Sequence, residues 1–420
     1  MGSQLPIDVS ASSVGMAAPR GRTFAALAVP HYPQLWLIGF LWNLTRWMSM
    51  FLSSYLVNQL THSPFLVQLV GTAFFAPMFL VGAVGGVISD RLDRRRTMLT
   101  SQAVLLPIAA MMAAVNLGGV VQAWMAYPFM LAIGAGMVVE MTSRRALVYD
   151  LVGRERVTNA LALESIGMTG GTLLGGLAAG AVISVFGIGH AFFIVACLCG
   201  LSLVLLLRVP TVRNQQPVPV ARPAVWQDLK AAFSYVRGHG TLVSVLGITI
   251  IMNLFYFSFT PMVPVFADEL GVNAFRTGVL ASAPALGSLT GTLLIAHGLP
   301  LGRGRIYFCG SMLALVFLCV FAAADSYPLA LAALALAGFG TSGFATMQSV
   351  LVMITTEDEM RGRAMGLLSM SIGSLPFSML ILGGAAEAVG PSTGVTASVL
   401  IGLVLLVAWT LRSPEAQRIA

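Results

Sequence analysis

The chain of 420 residues is 57% hydrophobic and only 9% charged, with a mean hydropathy of +0.87. A water-soluble globule needs more polar surface, so this composition excludes soluble enzymes and, in spite of the net charge of +7, soluble nucleic-acid-binding proteins. It predicts an all-α integral membrane protein.

Apolar runs follow one another along the chain, and each is long enough to cross a bilayer as a helix of about 20 residues. There are twelve, and they begin near Leu35, Leu66, Met98, Trp124, Ala160, Ala191, Leu242, Thr277, Ile306, Pro328, Ala364 and Gly394. Because the number is even, both termini are predicted to lie on the same side of the membrane.

Basic residues indicate which side that is. All but two of the 23 Lys and Arg residues fall in the termini or in alternate connections between runs, the exceptions being Arg46 and Arg276. Cytoplasmic connections are enriched in Lys and Arg, so we expect a multi-pass protein of the cell (inner or plasma) membrane with both termini cytoplasmic.

Composition also divides the chain. Prolines and glutamines interrupt the apolar pattern over residues 210–223, and residues 225–237 then show helical apolar spacing. Several short patterns recur at offsets of 204 to 210, such as Arg154 and Arg361, and this repetition predicts two duplicated halves. The predicted segments are a cytoplasmic tail (1–34), a six-helix bundle (35–207), a cytoplasmic linker with a surface helix (208–240), a second six-helix bundle (241–411) and a short tail (412–420).

The turn after the second run is densely charged, with six charges among residues 90–96. It resembles the G-x-x-x-D-R-x-x-R-R signature between helices 2 and 3 of major facilitator superfamily transporters, matched here by Gly86, Asp90, Arg91, Arg94 and Arg95. The resemblance implies twelve helices in two pseudo-symmetric six-helix bundles and secondary transport by alternating access. It also implies a gate, in which Asp90 accepts hydrogen bonds that hold the bundles closed on the inside. The alternative is a turn that only fixes topology.

Residues 63–66, 144–152 and 360–366 resemble the enterobactin-exporter-like and drug-exporter branch of this superfamily. Gly167, Gly171 and Gly175 resemble the antiporter motif of helix 5, with Thr172 in place of its proline. The resemblance implies proton-coupled efflux of siderophore-like or drug-like molecules. Glycines four residues apart permit close helix packing, and we expect this face to meet the other bundle; plain packing without a conformational role is the alternative.

Arg46 lies halfway along the first predicted helix, flanked by Asn43 and Trp47. A charge at this depth is costly unless it faces protein or water. We expect these three residues to bind substrate, with Arg46 holding an anionic group. A structural ion pair within the first bundle is the alternative.

Glu140 and Glu164 lie within apolar runs and are the candidate proton carriers, whereas Glu387 lies near the outer surface. Protonation of Glu140 could release Arg46 for substrate. Alternatively, Glu140 pairs with Arg144 one helical turn away.

Helix 7 combines aromatic and hydroxyl side chains with Pro261 and Pro264, which predict a bend and a roomy pocket. Further pocket candidates lie on helices 4, 7 and 10: Met137, Asn253, Tyr256, Phe344 and Gln348.

The five histidines are scattered, and the sequence contains no Walker-type loop, G-x-S-x-G or paired-metal spacing. We therefore expect neither an enzyme nor an ATP-driven pump, and no cofactor or metal. The expected partners are a small-molecule substrate, protons and the lipid bilayer, with no nucleic acid, and the chain is expected to be a monomer. Three alternatives remain: a lipid transporter of the same fold (for lysophospholipids, for example), an uncoupled facilitator, and a membrane sensor that does not transport.

Overall fold

The computed structural model describes residues 25–82, 93–210, 234–298, 300–357, 360–413 and 415, and the regular elements of these residues are all helical. The membrane-length helices are α1 (Tyr32–Thr61), α2 (Pro64–Gly82), α3 (Arg94–Leu117), α4 (Ala123–Gly153), α5 (Arg156–Phe186), α6 (Ile188–Leu207), α7 (Gly240–Glu269), α8 (Ala274–Ala296), α9 (Arg303–Ala322), α10 (Tyr327–Thr355), α11 (Ala364–Val389) and α12 (Pro391–Arg412). Ten of them, α3 to α12, are long and apolar enough to span a membrane by length and composition. With the more polar α1 and the shorter α2, they confirm the twelve predicted helices.

Many large apolar side chains point away from the protein. Val185, Ile381 and Leu411 are 70%, 72% and 78% exposed. Such surfaces are costly in water and favourable against acyl chains, so the outer faces of the helices are those of a protein embedded in lipid.

Each half of the chain has its own core. Phe129, Ile133 and Phe192 belong to the core of the first half (α1–α6), whereas Tyr307, Leu315 and Phe344 belong to that of the second half (α7–α12). The segment boundaries drawn from the sequence stay predictions, because most of the linker, residues 211–233, lies outside the described residues.

The two sides of the membrane differ in charge. We call the side at which α3 and α9 begin, with Arg94 and Arg303, the basic end. The opposite side is the distal end. At the start of α3, Asp93 accepts a 2.8 Å hydrogen bond from the Arg96 N–H and so caps the helix.

The halves meet at two equivalent crossings. Where α5 crosses α8, a Cβ added at Gly278 would lie 2.5 Å from the carbonyl oxygen of Gly176, so the backbones touch. Where α11 crosses α2, a Cβ added at Gly383 would lie 2.9 Å from the Cβ of Gln68. Gly176 and Gly383 are 207 residues apart, in agreement with the offset of the sequence repeats.

Polar side chains join the halves at the distal end. Asp268 of α7 is 3.4 Å from His62 and 3.5 Å from Asn58 at the end of α1. Glu387 of α11 accepts hydrogen bonds from the Ser63 hydroxyl (2.8 Å) and the Phe65 N–H (3.2 Å) at the start of α2. We call Asn58, His62, Ser63, Asp268 and Glu387 the distal clasp. With these contacts in place, the structure is closed at its distal end.

Helix α7 bends as predicted. Its α-helical parts are Gly240–Phe255 and Val263–Glu269, and a 3₁₀ turn over Phe257–Met262 separates them. Pro261 lies inside the turn, where its missing N–H removes a helical hydrogen bond. The bend lies in the middle of the membrane-spanning length.

Candidate functional site

A cavity of about 340 Å³ lies between the two halves in the middle of the fold. None of its described lining residues carries a charged side chain. The lining is aromatic and aliphatic with several hydroxyls, and comprises Trp47, Met50, Phe51, Ser54, Met168, Thr169, Thr172, Gly176, Tyr256, Phe257, Phe259, Thr260, Val263, Pro264, Ala281, Pro284, Ala285, Ser288, Thr341 and Ala345. An apolar pocket with scattered hydrogen-bonding groups suits a small amphipathic molecule.

Of the predicted pocket residues, Trp47 and Tyr256 line this cavity. The other predicted residues are placed around it rather than in its wall. Asn253 donates to the Thr249 carbonyl (2.8 Å), and Gln348 donates to the Thr249 hydroxyl (3.0 Å). The Asn253 amide therefore bonds within α7, whereas the Gln348 amide joins α10 to α7.

Phe344 and Met137 are core residues. The ring of Phe344 stacks on Tyr307 with centroids 5.4 Å apart, and Met137 is 3% exposed in the core of the first half. Neither side chain lines the cavity in this closed arrangement. A role for either in substrate binding stays a prediction.

Sequence reasoning missed the contributions of α5 and α8. Thr172, which stands where the resembled antiporter motif has proline, places its side chain in the cavity wall. On α8, Ala281, Ala285 and Ser288 form one helical face and make room for the cavity. Thr172 could have indicated the part of the wall on α5, because it replaces the proline of the motif. The small residues of α8 gave no such indication, because they lie within an ordinary apolar run.

Arg46 lies directly behind the cavity wall. Its guanidinium donates a 2.7 Å hydrogen bond to Asn43 Oδ1 and stacks over the ring of Trp47 at 5.2 Å from the centroid. Asn43 in turn donates to the Gly39 carbonyl at 2.9 Å. Within the described part of the chain, no carboxylate forms a salt bridge with Arg46. The predicted structural ion pair is therefore not formed by the described residues.

Both candidate proton carriers contact one guanidinium instead. Arg144 Nε is 2.6 Å from Glu140 Oε1, and Arg144 also forms an ion pair with Glu164 of α5. Glu140 and Arg144 are 6% and 9% exposed, and the Glu164 side chain is 11% exposed. The pair of Glu140 with Arg144 is therefore present, and a proton-carrying role for either glutamate stays a prediction. We call Arg46, Glu140, Arg144 and Glu164 the charged cluster.

Arg144 was among the basic residues predicted to lie in cytoplasmic connections. That prediction is wrong, because α4 continues through a π-helical turn over Glu140–Arg144 as far as Gly153. The wider turn rotates Arg144 towards α1, where Gly39 leaves space for it: a Cβ at Gly39 would lie 2.5 Å from a guanidinium nitrogen. Such π turns recur at functional sites.

The charged cluster links three helices of the first half. Arg144 joins α4 to α5, and it packs against α1 at Gly39, one turn before Asn43. If all four groups are ionised, the cluster has no net charge. A proton added to either carboxylate would weaken its pair with Arg144 and leave excess positive charge beside α1.

The glycines of the resembled antiporter motif face a different neighbour from the one expected. A Cβ at Gly171 would lie 2.6 Å from the Cβ of Asn43, and one at Gly175 would lie 2.6 Å from the Cβ of Trp47. Gly167 faces Trp36. The prediction that this face meets the other bundle is wrong, since it packs on α1 of the same half. Its conformational role stays a prediction.

Two arginines of the charged turn contact other helices of the first half. Arg94 forms an ion pair with Asp150 of α4, and Arg95 donates a 2.9 Å hydrogen bond to the Leu207 carbonyl at the end of α6. The other predicted gate residues, Gly86, Asp90 and Arg91, lie outside the described residues.

Two six-helix halves around a central cavity define a transporter of the major facilitator type. A family model described as transmembrane secretion effector matches residues 21–420, and the chain belongs to this family of the major facilitator superfamily.

Curated relatives include the enterobactin exporter EntS of Escherichia coli O1:K1, which is 25% identical over 376 residues, or 83% of this chain and 85% of the relative. EntS of Shigella flexneri is 24% identical over 370 residues, covering 83% and 84% of the two chains.

Solved structures show the same fold. The nucleoside transporter NupG is 18% identical with a TM-score of 0.70, covering 91% of this chain and 98% of its own. A bacterial homologue of the human lysosomal transporter Spinster, in an inward-facing and unoccupied conformation, is 16% identical with a TM-score of 0.70, covering 92% and 97%.

Proposed function

We propose that this transporter exports a small amphipathic molecule in exchange for protons by alternating access. The observation that carries the proposal is the charged cluster beside the uncharged cavity. Trp47 belongs to both environments, because its side chain lines the cavity and carries the Arg46 guanidinium over its ring. The apolar and hydroxyl-bearing wall would take the body of the substrate, and Arg46 would take an anionic group.

Proton coupling would act through Glu140 and Glu164. Both contact Arg144, so a proton on either would free part of its guanidinium and raise the positive potential around Arg46. Protonation of a glutamate and binding of an anionic group at Arg46 would therefore be linked through this one cluster, because the charge of each changes the affinity for the other.

The direction of transport rests on the orientation of the chain. The basic end carries most of the arginines and would face the cytoplasm of the cell in which the protein is made. A fluorescent-protein fusion at the C-terminus tests this, because such proteins become fluorescent in the cytoplasm; an absent signal for correctly inserted protein would reverse the assignment.

Inside-out membrane vesicles test function. Enterobactin, named for the relatives, is the first probe, and its accumulation is measured with and without an acidic vesicle interior. We expect the pH gradient to increase accumulation and a protonophore to remove the increase. Accumulation that is the same with and without the pH gradient would indicate an uncoupled facilitator.

Variants separate coupling from binding. Glu140→Gln and Glu164→Gln are expected to retain downhill exchange and lose most of the gradient-driven increase. Arg46→Ala is expected to weaken transport of an anionic probe more than that of a neutral one. Equal effects on both probes would overturn the assignment of Arg46, whatever the outcome for proton coupling.

If enterobactin is not transported, proton movement identifies other substrates. Candidate amphipathic anions are added to vesicles with an acidic interior, and the loss of the gradient is followed with a pH-sensitive dye. A compound that dissipates the gradient in wild type and not in Glu164→Gln is a coupled substrate.

A further inference from the structure

A second cavity, of about 440 Å³, lies in the second half between α7 and α11, where Trp409 of α12 forms part of its wall. Leu246, Ile250 and Met370 contribute apolar surface, and Arg237 and Ser371 contribute polar atoms. Ile250 and Met370 are 39% and 47% exposed, so the cavity is a groove on the outer surface of the protein. We call it the α7–α11 groove.

The groove has a specific cause in the sequence. In the first half, α5 approaches α1 closely along Gly167, Gly171 and Gly175. The residue 207 positions after Gly167 is Ser374, which lies in the wall of the groove and carries a side chain. In addition, α11 is interrupted between Ile372 and Leu375, whereas α5 continues through the corresponding length. The part of α11 before the break therefore does not close on α7 as α5 closes on α1.

The depth of the groove matches one leaflet of a bilayer. Its lining on α7 extends from the beginning of the helix to Ile250, and the rise from Gly240 to Ile250 is roughly 15 Å. The hydrocarbon core of a bilayer is about 30 Å thick, so the groove covers the leaflet at the basic end. An acyl chain of that leaflet has the matching length and polarity.

Arg237 places one positive charge at the mouth of the groove, where it is exposed one turn before α7. No acidic side chain occurs among the described lining residues, and the Glu415 carboxylate lies outside the lining, against Gly240 at the start of α7. An anionic headgroup at the mouth would supply a partner for the Arg237 guanidinium.

We propose that the α7–α11 groove binds one phospholipid with an anionic headgroup from the leaflet at the basic end. Its phosphate pairs with Arg237, and an acyl chain lies along Leu246, Ile250 and Met370. The lipid fills the space that glycine packing closes in the first half, and so supports α11 against α7.

Native mass spectrometry of the full-length protein in detergent tests this proposal. The protein is titrated with phosphatidylglycerol and with phosphatidylethanolamine of the same acyl chains, and bound lipids are counted. We expect a first phosphatidylglycerol to bind more tightly than phosphatidylethanolamine. Arg237→Ala should weaken that binding about fivefold, which is the contribution of one arginine near an anionic surface. Equal binding of the two lipids by the wild type would overturn the proposal.

Arg303→Ala is the matched control, since Arg303 is also exposed at the basic end and does not line the groove. It should leave phosphatidylglycerol binding unchanged, and an effect equal to that of Arg237→Ala would overturn the proposal. A second variant, Met370→Trp, fills the groove and should remove one bound lipid of either kind without lowering the melting temperature. Retention of that lipid by Met370→Trp would likewise overturn it. Neither readout requires transport, so the outcome is independent of the proposed function.

Discussion

Glu387 of the second half caps the N-terminus of α2 in the first half by accepting a 2.8 Å hydrogen bond from the Ser63 hydroxyl. The same carboxylate oxygen accepts the Phe65 N–H at 3.2 Å. A helix N-terminus carries unpaired N–H groups and partial positive charge, both of which favour a carboxylate. Because the bond joins the two halves, it is available only while the distal end is closed.

Replacing Glu387 by alanine should therefore favour opening at the distal end. Loss of a charge-assisted hydrogen bond changes a free energy by about 1.5–3 kcal/mol, so the open population should rise by about tenfold or more. A cysteine at Ser54, in the cavity wall, reports the opening through its rate of labelling by a membrane-impermeant maleimide in a background without the four native cysteines.

Asp325→Asn is the control for this variant, since Asp325 lies at the distal end, in the connection between α9 and α10, and outside the distal clasp. In the Asp325→Asn variant, the cysteine at position 54 should be labelled at the wild-type rate. If Glu387→Ala also labels at that rate, the clasp does not hold the distal end closed.

The crossing of α5 and α8 gives a second test of closure at the distal end, through backbone packing instead of hydrogen bonds. A Cβ at Gly278 would lie 2.5 Å from the Gly176 carbonyl and 3.0 Å from the Gly180 Cα, both of which are backbone atoms that cannot rotate away. Gly278→Ala should therefore separate the halves and raise labelling of the cysteine at position 54. Gly384→Ala, where a Cβ meets nothing within 4 Å, should have no effect. Equal labelling of the two variants would contradict close packing at this crossing.

The twelve helices were predictable because the bilayer imposes a minimum length and apolarity on every span. Two further predicted features were found. Pro261 interrupts α7, and the offset of the sequence repeats reappears in the paired crossings at Gly176 and Gly383. The face of α5 that meets the other half was not predictable. Adjacent glycines, Gly175 and Gly176, point to α1 and α8 respectively, and only the packed structure separates them.

The candidate site was predicted in part. Arg46 was recognised because a charge in the middle of an apolar run is rare. Arg144 was misplaced because charge counting assumes that an arginine near the end of an apolar run lies in a connection, whereas the π turn carries α4 past it. The uncharged cavity wall on α5 and α8 gave little signal, since small and hydroxyl side chains are also common in ordinary helix packing.

The cavity itself can be narrowed at one position. Ser288 lines it, and the neighbouring Leu289 is 37% exposed and does not. Ser288→Phe adds a ring to a space of about 340 Å³ and should reduce transport of a bulky probe at least tenfold, through exclusion of the substrate. Leu289→Phe should transport normally. The measurement is initial uptake into vesicles, with the melting temperature of each variant as a check on folding. Normal uptake by Ser288→Phe would place the substrate elsewhere.

Arg144 should be the most sensitive residue of the charged cluster. Arg144→Gln leaves two buried carboxylates without their ion pair, and breaking a buried pair in this way costs about 3–5 kcal/mol of folding free energy. Removing all the charges together avoids that cost, so the triple variant Arg144→Met, Glu140→Gln, Glu164→Gln should recover most of the stability while remaining uncoupled. Thermal unfolding of the purified protein, followed by tryptophan fluorescence, measures the difference, with the exposed Arg208→Gln as control. A single Arg144→Gln variant as stable as the triple variant would mean that the two glutamates do not depend on Arg144.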